Sequence, residues 1–126
     1  MNLLDPKLIS IHSYKMLVRI VKLQFKEEKI NDFLMHFETV KWKVASFPGC
    51  KGMKLLQDIK NPCIIMTYSI WDNEEALENY KNSELFTTIW LSIKIWFDAK
   101  AEAWSLQTTF NGFKEINEIQ QKKIKK

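Results

Sequence analysis

Apolar residues recur along this chain at every second position, then at every third or fourth. That change of period repeats in an order few folds can accommodate. In residues 16–25, Leu17, Val21, Leu23 and Phe25 share one face of an extended strand, while Val18 and Ile20 lie on the other. From 27 to 46 the period lengthens. Ile30, Phe33, Leu34, Phe37, Val40 and Val44 form the stripe of an amphipathic helix, with Glu27 and Glu28 in its first turn, where the dipole favours acids. Phe47-Pro48-Gly49 ends it, because proline cannot continue a helix and glycine permits positive φ.

Residues 50–57 return to the strand period, with Met53 and Leu55 facing one way and Cys50, Gly52 and Leu56 the other. The breakers of 58–62 predict a hairpin into the strand 63–71, rich in Ile, Tyr and Trp. Asp72, with Glu75 three residues on, reads as the N-cap of a helix through Ala76, Leu77 and Tyr80. After Asn82-Ser83 a second helical piece over 84–99 carries Leu85, Ile89, Ile93 and Trp96, with Phe86 and Trp90 beside them. Residues 104–110 alternate as a last strand. The order β-α-β-β-α-β predicts the α+β class, a ferredoxin-like four-stranded antiparallel sheet with its helices on one face. Because strands one and three are apolar on both faces, the other face needs cover. A second copy of the same sheet supplies it, giving a dimeric α+β barrel. Five Trp and eight Phe are more bulk than one thin layer of helices hides, which suggests a further buried surface, a ligand pocket or a dimer interface.

The net charge of +4 does not mark a nucleic-acid binder, since residues 16–110 hold equal numbers of acids and bases. The excess sits in an N-terminal leader, 1–15, and a basic C-terminal tail, 111–126, flanking the domain at 16–110. Two cysteines, Cys50 and Cys63, and two histidines carry no metal-ligand spacing, and the cysteines read as small hydrophobes in a reducing compartment. No apolar run approaches the roughly 20 residues of a membrane span, and the start lacks a signal-peptide pattern. The expectation is a cytoplasmic protein with neither nucleic-acid nor membrane partner.

Three blocks resemble the antibiotic biosynthesis monooxygenase family: Phe47-Pro-Gly-Cys-Lys-Gly-Met53, Tyr68-Ser-Ile-Trp-Asp-Asn-Glu-Glu-Ala-Leu77 and Tyr80-Lys-Asn-Ser-Glu-Leu-Phe86. Their spacing extends the resemblance over 16–110. It implies a homodimer with a pocket in each subunit between sheet and helices. There some members oxidise quinol, phenol or polyketide-like aromatics with O2, using neither metal nor flavin. Related haem-degrading members use an Asn, a Trp and a His at positions that align with Val21, Tyr80 and Trp90, so this chain departs from that branch.

Tyr80, Phe86 and Trp90 lie on the pieces that would roof such a pocket. Tyr80 could donate to a phenolic oxygen and Trp90 could stack on a ring, though both serve equally as aromatic core. His36, beside Phe33 and Phe37, is a candidate general base or a solvated histidine. Arg19, on an otherwise apolar strand, could hold a substrate anion or, the preferred reading, pair across the dimer. Tyr68 is placed in the substrate pocket. Trp71, of opposite parity on the same strand, is read as structural. Three functions stay open: a cofactor-independent monooxygenase, a non-catalytic barrel that binds a small ligand, and, third in order, a haem-binding or haem-degrading protein.

Overall fold

The computed structural model describes residues 16–114. The leader 1–15 and all but the first residues of the tail lie outside it. Strand β1 (Leu17–Gln24) leads through a 3-10 turn at Glu27–Lys29 into helix α1 (Ile30–Ala45). Strands β2 (Cys50–Gln57) and β3 (Ile64–Trp71) form the hairpin. Helices α2 (Glu74–Lys81) and α3 (Glu84–Ile93) follow, then a 3-10 turn at Lys94–Trp96 and strand β4 (Glu102–Leu106). The sheet order is β2-β3-β1-β4, antiparallel throughout, which is the ferredoxin-like arrangement.

Register decides which side chains the helices cover. Leu17 pairs with Trp71, Arg19 with Ser69, Val21 with Thr67 and Leu23 with Ile65. Ile30, Phe33 and Ile93 pack on Leu23, Phe25 and Ile65 at one end of this face. Leu77 packs on Leu17 and Trp71 at the other. The opposite face carries Val18, Ile20, Tyr68 and Ile70, with Trp104 and Leu106 directly across from Ile20 and Val18. No described helix is long and apolar enough to cross a membrane.

Four local expectations are corrected. The β2–β3 register shifts between Cys50 and Gly52, where Gly52 has φ +142°. This bulge turns Cys50 onto the helix-covered face, against Trp71 and Leu77, instead of leaving it beside Leu56. The cap of α2 is Asn73, whose Oδ1 accepts from the Ala76 amide at 2.8 Å, while Asp72 stands 3.4 Å from Lys51 Nζ. The second helical piece stops before 99, because Phe97 turns back to bridge Phe25. The last strand ends at Leu106 rather than 110.

Gly49 closes the turn into β2. Its φ is +88°, and an added Cβ would fall 2.5 Å from Ala76 Cβ. Gly49→Ala is expected to cost about 2–4 kcal/mol, from left-handed strain plus overlap. Urea denaturation measures it, and a loss below about 0.5 kcal/mol would show that the turn has slack.

Candidate active site

The middle of the sheet cannot close the core. Between the two apolar clusters the covered face bears Arg19, Val21, Thr67, Ser69 and Ala103, all too small or too polar to fill the space under the helices. A cavity of about 270 Å³ results, with members of both clusters, Leu23 and Phe33 from one and Trp71 and Leu77 from the other, in its walls. Its surface is largely apolar. That volume falls just below the usual range of ligand pockets, roughly 300–1,000 Å³, and suits one or two fused rings.

An aromatic chain forms one side. Trp71, fully buried, donates from Nε1 to Ser69 Oγ at 2.9 Å. Tyr80 stacks on Trp71 at 5.0 Å and meets Phe86 edge-on at 5.2 Å. Phe86 and Trp90, a turn apart on α3, lie nearly parallel at 5.8 Å and 12°. Helix α3 starts cleanly because Ser83 Oγ accepts from the Phe86 amide at 3.1 Å.

Burial, and then the neighbouring Cys50 thiol, push the Tyr80 phenol up to about 12. Its hydroxyl makes no hydrogen bond among the described residues, so at neutral pH it is a protonated donor with no protein partner. A phenol that ionises less readily folded than unfolded adds stability that is complete below about pH 10 and lost as pH rises towards 12. The expected loss is about 2–3 kcal/mol for a two-unit shift. Cys50, also raised by burial, acts in the same direction. Urea denaturation at pH 8 and pH 11 should show roughly half of this fall, about 1.4 kcal/mol, and Tyr80→Phe should flatten it. An unchanged slope in that variant would show that Tyr80 ionises freely.

The antibiotic biosynthesis monooxygenase family profile matches residues 16–89, more than half the chain and all but the last described segments around this cavity. The chain belongs to that family. No curated protein sequence matches it. Solved structures share the fold at low identity. A Nitrosomonas europaea protein named as a candidate antibiotic biosynthesis monooxygenase is 16% identical, with TM-score 0.72 over 77% of this chain and 93% of that one. A conserved Methanosarcina mazei protein is 23% identical, with TM-score 0.69 over 75% and 95%. SnoaB, a cofactor-independent oxygenase from Streptomyces nogalater, is 11% identical, with TM-score 0.70 over 79% and 99%.

This family member brings together four of the six residues singled out from sequence: Arg19, Tyr80, Phe86 and Trp90 all line the cavity. Val21, at the position of the haem-degrading branch's asparagine, lines it too. Arg19 lines the cavity and bonds from Nη1 to Ser105 Oγ at 3.0 Å. Tyr68 is not in the cavity. It pairs with Ile20 on the open face, where Lys54 Nζ lies 5.3 Å from its ring centre. Trp71 takes the wall position instead.

His36 is absent from the lining as well. Phe33 and Phe37 turn inward, while the His36 ring lies edge-on to Trp96 at 6.2 Å with its Nε2 buried and unbonded among the described residues. The sequence reasoning missed Thr67, Ser69 and Ser105, whose signal was their parity with Arg19 and Val21 on paired strands. Among the described residues, no three His, Cys, Asp or Glu side chains are placed to hold a metal ion.

Proposed function

We propose that this chain is a cofactor-independent monooxygenase that oxidises a small phenolic or hydroquinone-type aromatic with O2, acting as a homodimer joined through its open sheet faces. The observation that carries the reading is Tyr80, a phenol protonated at neutral pH and without a hydrogen-bond partner among the described residues, in the lining of an aromatic-walled cavity. SnoaB, described as a cofactor-independent oxygenase, shares the fold and supports the reaction class.

The substrate supplies both electrons. Its phenolic proton leaves to water at the cavity mouth, and the phenolate passes one electron to O2. The resulting radical and superoxide couple at a ring carbon, and the peroxide takes up a proton. Loss of that carbon's hydrogen as a proton then breaks the O–O bond, and the departing hydroxide is protonated to water. One C–H, one phenolic O–H and O2 become two C=O and H2O. Phe86 and Trp90 hold the ring, the apolar walls exclude bulk water, and Tyr80 donates to the oxygen on which charge develops.

Oxygen uptake with a panel of hydroquinones and naphthols tests this. Tyr80→Phe is expected to lower kcat/KM by about 10–100-fold, somewhat less than loss of a full oxyanion donor. His36→Ala should leave it unchanged. No uptake by the native chain across the panel would leave the non-catalytic, ligand-binding barrel as the reading.

A further inference from the structure

We infer that Arg19 is the anion-binding residue of this cavity and that the aromatic it takes carries a carboxylate. The inference rests on reading the cavity as a site for aromatic substrates, and it adds the group by which one aromatic is told from another.

Strand register sets up the floor. Met53, Ser69, Arg19 and Ser105 stand side by side across β2, β3, β1 and β4, a row with a single charge at its centre. Around it the walls are chiefly Leu, Val, Phe, Trp and Ile side chains, and the lining also includes Tyr80, Lys81 and one carboxylate, Glu102, which is not ion-paired with Arg19. A guanidinium has five N–H donors and stays charged at any ordinary pH. Here one donor is engaged, by Ser105 Oγ.

No carboxylate among the described residues comes within 4 Å of Arg19, since the four ion pairs there all use lysines. Glu78 acts on Arg19 from further off, but its Oε2 is committed to Lys81 Nζ at 3.0 Å. Desolvation lowers the Arg19 pKa, the mark of a cation held partly out of water without full compensation.

A ligand that repairs this must bring one negative charge on a planar, two-oxygen head, with an apolar body to fill the remaining cavity. An aromatic carboxylate does both. A phosphate dianion does not, because the lining offers only one other cation, Lys81, and that is already paired. With the carboxylate on Arg19, the ring extends towards the Phe86–Trp90 pair, which lines the same cavity.

The experiment is calorimetric binding to the full chain at pH 7 of 2-naphthoate and of its neutral counterpart, naphthalene-2-carboxamide. Neither probe requires turnover, so binding is read apart from catalysis. The native protein should prefer the carboxylate by about 10–100-fold, the usual worth of a charge-assisted hydrogen-bonded pair. Arg19→Gln should remove the preference while leaving carboxamide affinity in place, and Arg19→Lys should keep part of it. Equal affinities for the native chain would overturn the role of Arg19 and leave the aromatic cavity standing, as would a preference that survives in Arg19→Gln. Binding of neither probe would overturn the cavity reading and the carboxylate with it. Should Arg19→Gln fail to fold, the native pair and Arg19→Lys decide.

Discussion

Trp71→Ala is expected to remove about 3–5 kcal/mol of stability, a large share of the roughly 5–15 kcal/mol that holds a domain of this size together. Only 1% of Trp71 is exposed, and it is the largest fully buried side chain among the described residues. Its ring joins Leu17, Leu77, Phe47 and Tyr80 into the smaller of the two core clusters. That cluster sits beyond the cavity, so it cannot borrow packing from the Phe25–Ile65 end. Truncation would extend the existing cavity, which collapses poorly when polar groups line its floor. It would also take the Nε1 donor away from Ser69 Oγ, a buried hydroxyl whose remaining contact is with the Arg19 carbonyl at 3.5 Å. Thermal unfolding should fall by roughly 10–20 °C. Trp71→Phe, which keeps a ring against Tyr80, should lose about half as much or less. A shift of only a few degrees for the alanine variant would mean that the second cluster contributes little and that α2 is held by other contacts.

The same residue shows how far the sequence could be read. Element order and the two-faced apolar character of β1 and β3 follow from period alone, because burial on both faces leaves its mark at every position. Strand parity also marks the floor of the site. Arg19 has the parity of Leu17, Val21 and Leu23, so the cavity floor was legible. Tyr68 and Trp71 were correctly placed on opposite faces, but the hydroxyl drew Tyr68 to the pocket when Ile65 and Ser69 share the parity of Trp71.

Other features depend on partners that no local pattern reveals. Cys50 changes face through a bulge that exists only in the β2–β3 register. The alternation of Trp104 to Phe110 continues past Leu106, yet β4 stops there because Leu106 already pairs with Val18, one residue from the start of β1. Helix α3 and its following turn stop where Phe97 is captured by Phe25, a contact 72 residues apart in the chain. His36 lies outside the cavity lining because a helical neighbour of inward-facing residues need not itself face inward: Phe33 and Phe37 turn to the cavity, and position 36 meets Trp96.

Ile20→Glu is expected to convert the proposed dimer to single chains. Ile20 lies mid-strand on the open face, flanked across the ladders by Tyr68 on β3 and Trp104 on β4. Trp104, Leu106 and Leu56 are 42%, 47% and 44% exposed, while Val18, Met66, Tyr68 and Ile70 are half-buried beside them. An apolar expanse of that kind on a single chain marks an interface. Contact between two copies of one face is isologous, so a carboxylate at position 20 enters the interface twice. Each must be desolvated without a partner, and like charges approach one another, a combination costing several kcal/mol. The dimer dissociation constant should rise by at least about 100-fold at 1.4 kcal/mol per decade. Light scattering at micromolar concentration should report twice the 15.0 kDa chain mass for the native protein and the single mass for the variant. Ile59→Glu is the control, since Ile59 is 98% exposed in the β2–β3 turn and its substitution should leave the mass unchanged. Ile20 points away from the cavity, so any naphthoate binding shown by the native chain should persist in the monomeric variant. If the native chain scatters as 15.0 kDa at every concentration, the open face is wet and the dimer is wrong. If Ile20→Glu remains dimeric, the pairing uses some other surface.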